Sequence, residues 1–451
     1  MRHFMLLVAF VITIITHAVS QSTQKVPFEG IDQTWQNGAD RRDSSVFQNA
    51  KYFMPSLLLD LNYNYSFNNP IDNTVVGSTA LARHNELQLA ALHFGGDFLY
   101  NNVRARVMTQ FGTRSTVVPR NDISPYRGQY DLANVYRYLS EAYAGYHFNK
   151  WYGINVDFGL FMSYIGLNSF YQAENWEYQA SFTSDNTPWF FNGVRIQIHP
   201  TKNLKIEPWI INGWQSYGKF NSMPGVGGAI TYLSSNSKLK LISNNYYGSD
   251  AAGIPERKRF HTDNSILIRY FNRPERRGIT RMAFSLTADL GFEKGGGVNG
   301  FDNSDPDNPA QYFLSAMFYN RIWFAKQWAW TVGGGWMKNP GRYLVLYPTG
   351  EASPLPNPTN PTQTAGRFPF SANPGDAFEG WDASTNIDFI PNQNILFRLE
   401  FVHRESSVPY FAGRGGVTSQ TGLTTTVLDP AWRPDLVKAE DKIILAVLFR
   451  L

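Results

Sequence analysis

The sequence predicts an all-β transmembrane protein, an antiparallel β-barrel of about 16 strands within a range of roughly 14 to 18. Three observations carry that expectation. Apolar and polar residues alternate with strand period along most of the chain. Every charge in the best alternating segments lies on one face, and the connections between segments alternate between short and long.

The first element is an export signal. Arg2 and His3 form a short basic region, Phe4 to Ile15 is an apolar run of signal-peptide length, and Ala18-Val19-Ser20 supplies small residues before a cleavage point. Residues 1–20 are therefore expected to be removed, leaving Gln21 as the mature start. The run falls short of the ~20 residues that a membrane-spanning helix needs, and no later apolar run reaches about 18, so a helical inner-membrane protein is excluded. Residues 21–51 read as a periplasmic lead-in and residues 52–451 as the barrel.

Strand-like alternation begins at Phe53. Leu57, Leu59, Leu61, Tyr63 and Tyr65 lie opposite Ser56, Asp60, Asn62, Asn64 and Ser66. The same pattern sets Val103, Ala105 and Val107 against Arg104 and Arg106, and Val156 and Phe158 against Asn155 and Asp157. Further along, Phe284, Leu286, Ala288 and Leu290 oppose Ser285, Thr287 and Asp289, and Phe397, Leu399 and Phe401 oppose Arg398 and Glu400. A soluble sheet tolerates a stray charge on either face. Hydrocarbon does not, because Arg or Lys at the midplane costs roughly 2–4 kcal/mol. The segments are also long, at roughly 10 to 14 residues, which suits tilted strands crossing a bilayer better than the globular norm of about 5–6.

Short connections fall near Gly96–Asn101, Asn149–Tyr152, Pro200–Asn203, Ser234–Lys238, Asn272–Ile279, Ala325–Gln327 and Pro391–Asn394. Long ones include Thr113–Arg137, Ser163–Pro188, Asn339–Ala377 and Glu405–Val437. Bacterial outer-membrane barrels have short periplasmic turns, long extracellular loops and an even strand number. On Gln327–Lys338, Trp328 and Trp330 stand near one end and Trp336 near the other, as an aromatic girdle at each interface requires. Gly333, Gly334 and Gly335 between them read as easing a bend in the sheet. The last segment, Lys442–Leu451, carries Val447, Phe449 and Leu451 on the wall face, which suits the barrel-assembly machinery.

Composition fits the same picture. The chain has 451 residues, 15% of them aromatic, and 37 glycines. Its mean hydropathy is only −0.32, because polar residues share the strands with apolar ones. The formal net charge of +4 is too small to mark a nucleic-acid surface. With no cysteine, disulfides, thiolate catalysis and Cys-ligated metals are excluded.

Enzyme signatures are missing from the sequence. Neither His-Glu-x-x-His nor Gly-x-Ser-x-Gly occurs. Gly295, Gly297 and Gly300 match a dinucleotide fingerprint formally but precede an Asp/Asn/Pro loop rather than a helix. Asp302, Asp305 and Asp307 carry the residue type of a calcium loop, yet Pro306 and Pro309 spoil the turn, so a solvated loop is the simpler reading. Pro354–Pro361 reads as a stiff exposed loop. No enzyme activity, cofactor or metal is expected.

The polar-face charges are the functional candidates. Asp60, Arg104, Arg106, Glu141, Asp157, Arg195, Arg269, Arg281, Asp289, Asp382, Asp388, Arg398 and Glu400 are all expected to face the lumen. A barrel of about 16 strands is too wide for side chains to meet across it, so water is expected to fill the lumen unless loops plug it. The mixed charges then either set a transverse field across a pore or form salt bridges along the wall. Near balance predicts weak ion selectivity.

Several short motifs follow one another along the chain: Asp60-Leu61-Asn62-Tyr63-Asn64-Tyr65, Gly159-Leu160-Phe161 through Ile165-Gly166, Asn212-Gly213-Trp214, Asn339-Pro340-Gly341-Arg342-Tyr343 and Tyr410-Phe411-Ala412-Gly413-Arg414-Gly415-Gly416. In that order, from about Phe28 to the C-terminus, the sequence resembles the OmpL-like β-barrel porin family. The resemblance implies an outer-membrane location and a porin-like role, and it supplies no catalytic or binding residues. Where the family carries a glutamate shortly after the Ile-Gly pair, this chain has Leu167 and Asn168. The expected function is passive diffusion of small hydrophilic solutes, with outer-membrane lipids and the assembly machinery as partners. The alternative is a non-conducting or plugged barrel whose long loops bind a partner or surface polysaccharide.

Overall fold

A computed structural model describes residues 52–119, 122, 130–340, 378–392, 394–423, 429, 432 and 434–451. The alternating segments form β1 (Phe53–Ser66), β2 (Leu87–Tyr100), β3 (Val103–Thr109), β4 (Leu139–Phe148), β5 (Ile154–Met162) and β6 (Phe190–Thr201). They continue as β7 (Leu204–Ile211), β8 (Gly225–Leu233), β9 (Leu239–Gly248), β10 (Lys258–Asn272), β11 (Ile279–Lys294) and β12 (Tyr312–Phe324). The last strands are β13 (Trp328–Lys338), β14 (Glu379–Asn392), β15 (Ile395–Ser406), the two-residue pair β16 (Phe411–Ala412) and β17 (Leu436–Val437), and β18 (Ala439–Arg450).

Each barrel strand pairs antiparallel with its neighbour in sequence, and β18 pairs with both β15 and β1, with Leu59 opposite Phe449. The described residues thus form a closed antiparallel barrel of 16 strands, with β16 and β17 as a separate ribbon. Closure removes the unpaired edges that a membrane cannot tolerate. Strand lengths run from seven residues in β3 to sixteen in β11, a wider spread than the sequence suggested. The connections alternate as expected. The spans 101–102, 149–153, 202–203, 234–238, 273–278, 325–327 and 393–394 are short, and the spans between them are long. Both ends of the barrel chain therefore lie at the short-turn end. Residues 1–51 and most of Asn339–Ala377 are outside the described residues.

The two-residue period decides which side chains meet lipid. Leu286 on the outer face of β11 is 45% exposed, whereas its neighbour Thr287 is fully buried on the inner face. Trp328 and Trp330 lie on the outer face at the short-turn end of β13, and Trp336 lies on that face towards the other end. A polar contact on the outer face sits near the long-loop rim, where His403 Nδ1 lies 2.9 Å from Asp441 Oδ1.

The interior corrects the expectation of a water-filled lumen. Residues 163–189, between β5 and β6, are buried throughout, as are residues 74–81 between β1 and β2. Val75, Leu81, Leu167, Trp176 and Tyr178 from these two segments pack against inward-facing Leu267, Trp323, Ile390, Leu396, Val402, Ile444 and Leu448. Phe170, Trp176, Phe182 and Trp189 in the longer segment would be costly in water, and folding into the barrel removes their apolar surface from solvent. The barrel thus has a hydrophobic core inside its wall.

Candidate functional site: the loop-filled lumen

The 163–189 segment leaves β5 through Ser163, whose Oγ accepts from Ile165 N and donates to Ile165 O, a local turn that redirects the chain. Gly166 follows with φ of +95°, a conformation that a Cβ would strain, and its N–H donates to Asp263 Oδ2 at 3.1 Å on β10. Leu167 joins the apolar core, and Asn168 Nδ2 donates to Glu177 Oε1. The amide that follows the Ile-Gly pair is thus held by a carboxylate nine residues later in the same segment.

From there the segment is fastened to the inner wall by charged and polar side chains. Glu400 on β15 accepts from the backbone N–H groups of Tyr178 and Gln179, at 2.6 and 2.8 Å. Asp382 on β14 accepts from Phe182 N and Ser181 Oγ, both at 2.9 Å. Asp60 on β1 accepts from the Tyr178 hydroxyl at 2.7 Å, and Asn62 donates to that same oxygen. Arg398 on β15 donates to Asn175 O at 3.0 Å while holding Asp388 through Nε at 2.7 Å. Arg321 on β12 completes the cluster, at 2.7 Å from Asp388 and donating to Trp176 O. Glu141 on β4 accepts from the Tyr171 hydroxyl at 2.6 Å. Charged acceptors give the stronger class of hydrogen bond, and they satisfy loop amides that no secondary structure pairs.

The other candidate charges pair along the wall rather than with the loop. Asp157 on β5 bridges Arg104 on β3 and Arg195 on β6, at 3.1 and 2.8 Å. The Arg195 guanidinium also lies beside the stacked rings of Tyr143 and Phe161, 4.6 and 4.7 Å from their centres. Arg106 binds Glu141 at 2.7 Å and Asp97 at 2.6 Å. Asp289 on β11 stands opposite Asp263 in register, with His261 Nε2 at 3.4 Å. Arg269 reaches the short turn below, donating to Ser237 O at 3.0 Å. Arg281 lies half-exposed beside a register shift at the short-turn rim and donates to Asn272.

Sequence reasoning passed over several residues of this arrangement. Asp185 in the loop accepts from Thr79 N and Oγ1 and pairs with Arg404 at 3.2 Å, tying the two inserted segments and β15 together. Arg404 also donates to Gly77 O, at a φ of +64° that suits glycine. Arg114, in the short helix Arg114–Val117, donates to Phe170 O at 2.6 Å and stacks on that ring. Asp97 was not singled out, yet its side chain is 38% exposed. A readable signal existed: a loop rich in Phe, Tyr and Trp with few charges is ill-suited to solvent. Gly335 has a further role, because a Cβ there would collide with Ser181 Oγ; the missing side chain makes room for the loop.

Burial sets the electrostatics of the loop carboxyls. It pushes Glu177 up to about 7, against the pull of its hydrogen bond from Asn168 and of nearby Arg398 and Arg321. Burial likewise raises Asp185, opposed by Arg404 and by the Thr79 hydrogen bonds. Among the described residues, no group of three or more His, Cys, Asp and Glu is placed to hold a metal ion.

The fold resembles several solved outer-membrane proteins at low identity. It matches the outer membrane channel DcaP of Acinetobacter baumannii with 11% identity over 88% of this chain and 97% of that chain, at a TM-score of 0.49. It matches an anion-selective porin from Comamonas acidovorans with 8% identity over 88% of this chain and 99% of that one, at a TM-score of 0.48. OccK5 of Pseudomonas aeruginosa aligns with 12% identity over 89% and 99% of the two chains, at a TM-score of 0.40. No curated protein matches the sequence. The family model described as "Putative beta-barrel porin-2, OmpL-like" matches residues 54–428, from the second residue of β1 into the last long loop. With that match spanning most of a closed 16-strand barrel, the chain belongs to this OmpL-like porin family and is a porin-like channel protein of the outer membrane.

Proposed function

We propose that the protein conducts small hydrophilic solutes by passive diffusion along a lumen narrowed by the 163–189 segment. The carrying observation is that this segment adds no strand to the barrel and meets the wall through side-chain hydrogen bonds, ion pairs and apolar packing, with Glu400, Asp382 and Asp60 as its main polar anchors. Such anchors leave the barrel intact when they release, so the constriction can open without unfolding the wall. Water-accessible charge persists on the inner face of β2 and β3, where the Asp97 and Arg106 side chains are 38% and 18% exposed, and we place the solute path on that side. Near-balanced charge there favours weak ion selectivity. Porin family and barrel fold suggest a channel rather than an enzyme.

In this reading the short turns face the periplasm and the long loops the cell exterior. Residues 1–20 are a cleaved signal peptide, residues 21–51 a periplasmic lead-in, and β18 the segment read by the barrel-assembly machinery. A second reading is favoured by the buried lumen core: a plugged barrel whose long loops bind a partner or surface polysaccharide.

Single-channel recording in planar bilayers separates the two. The intact protein should give small, steady conductance, and replacing residues 168–185 by a short Gly-Ser linker should raise it severalfold. Silence of the intact protein, with conductance only after the replacement and both proteins shown to be folded by heat-modifiable gel mobility, would favour the plugged barrel.

A further inference from the structure

The outer face of β9 and β10 carries a block of polar side chains at the wrong depth for lipid. Ser243 and Asn245 on β9 and Thr262 and Asn264 on β10 point outward, in register as the pairs Ser243–Asn264 and Asn245–Thr262. On the same face, Leu241 and Ile266 flank the block towards the short turns, and Tyr247 and Phe260 flank it towards the long loops. The block thus lies inside the apolar band and not at its rim. Asn245 and Asn264 are exposed. Asn264 Nδ2 donates to Thr262 Oγ1 at 3.0 Å and Asn245 Nδ2 to Ser243 Oγ at 3.4 Å, which uses one of the two hydrogens of each amide. Hydrocarbon satisfies neither the remaining hydrogens nor the carbonyl oxygens, so a lipid-facing asparagine at this depth is penalised. On either side stand Gly228, opposite Asn245, and Ala288, opposite Asn264. Small residues flatten the wall here and let another backbone come close.

We propose that this block is the seam of a two-fold dimer of this chain. Two copies inserted in the same orientation are related by an axis along the membrane normal. An axis passing between β9 and β10 sets β9 of one copy against β10 of the other. Every polar group in the block then meets a group of the complementary kind, because each amide both donates and accepts; an isologous interface needs this self-complementarity. A different membrane protein would need its own matching polar block, whereas a second copy supplies one automatically.

Because the chain has no cysteine, single substitutions report on the seam without background. Asn245→Cys and Asn264→Cys, treated in intact outer membranes with a short bis-maleimide, should each give a cross-linked species of twice the monomer mass. Phe158→Cys, 69% exposed on the outer face of β5, should remain monomeric. The double variant Asn245→Leu/Asn264→Leu should run as a heat-modifiable, folded barrel but lose the dimer in light scattering of the detergent-extracted protein. No cross-link at either asparagine position, equal cross-linking at Phe158→Cys, cross-links to a different protein, or a dimer that persists in the leucine variant would each overturn the proposal.

Discussion

The two faces of one strand obey different rules, and β15 shows both. Outward, Phe397, Leu399 and Phe401 are each about as exposed as the next, and they touch only near neighbours on the wall, as Phe397 does with Phe389. Inward, Arg398, Glu400 and Arg404 are buried, and each bonds a residue far away in sequence, as Glu400 does with Tyr178, 222 positions distant. Lipid is a uniform solvent that asks only for apolar groups, so the outer face can be read residue by residue. The inner face answers to one specific segment, so its partners appear only when the chain is folded. The contrast can be tested by treating the two faces alike and measuring how differently they respond.

The largest effect is expected from Leu286→Arg. Its side chain lies near the middle of β11 on the lipid face, where an arginine costs roughly 2–4 kcal/mol, so insertion or heat-modifiable folding should fail. From sequence alone, Thr287→Arg is nearly harmless, since a watery lumen accepts a charge. The structure revises that expectation. Thr287 is fully buried, and its Oγ1 shares a 2.8 Å hydrogen bond with Ser265 Oγ, so an arginine there must displace packed neighbours at about 1–3 kcal/mol. The expected order is unchanged but the gap narrows. Equal tolerance of both arginines in outer membranes would remove the register on which the two-faced description rests.

A smaller effect on the inner face alone comes from Tyr178→Phe. The hydroxyl it deletes donates to Asp60 and accepts from Asn62, both on β1, while the ring stays in the apolar core. Loss of the bond to the Asp60 carboxylate is worth about 1.5–3 kcal/mol and loss of the neutral one from Asn62 about 0.5–1.5 kcal/mol, both drawn from loop docking rather than from barrel assembly. Protease nicking within residues 163–189 should increase in the folded barrel, with its thermal midpoint shifted little. A large drop in barrel stability with no change in nicking would mean that the segment is an inseparable part of the wall.

These two responses also explain what the sequence made legible. Strand period, turn lengths and the segregation of Asp60, Arg104, Asp388 and Glu400 to one face follow from local alternation, so a closed barrel of about 16 strands was within reach. Whether the lumen was open was not, because nothing local states that residues 163–189 fold inward. Phe170, Trp176 and Phe182 were visible as unusual loop residues, but their destination depends on Ile390, Leu396 and Ile444, which look like exceptions to the polar face until the loop is placed on them. A second role of the glycine run of β13 was hidden for the same reason, since the room that Gly335 leaves for Ser181 has no trace in β13 itself.

The smallest expected effect, and the one that probes the loop without touching the wall, is a pH dependence through Glu177. Its carboxyl lies in the inserted segment, accepts from Asn168 Nδ2, and is held up to about 7 from an ordinary 4.5 chiefly by burial, with Arg398 on β15 and Arg321 on β12 opposing the shift. An acid raised in the docked state binds its proton more tightly there than in the released state. Docking is therefore strongest below about pH 4.5, weakens as pH rises through the window from 4.5 to 7, and changes no further above it. If release of the segment opens the lumen, conductance should increase from pH 5 to pH 8. Glu177→Gln keeps the hydrogen-bonding shape but cannot ionise, so it should reduce the rise, leaving the part contributed by Asp185, which burial also raises. Nicking within the segment, measured at the same pH values, should follow conductance upward. A profile that falls with pH, or one that Glu177→Gln leaves unaltered, would assign the control of docking to other groups on the inner wall and leave Glu177 a purely structural acceptor for Asn168.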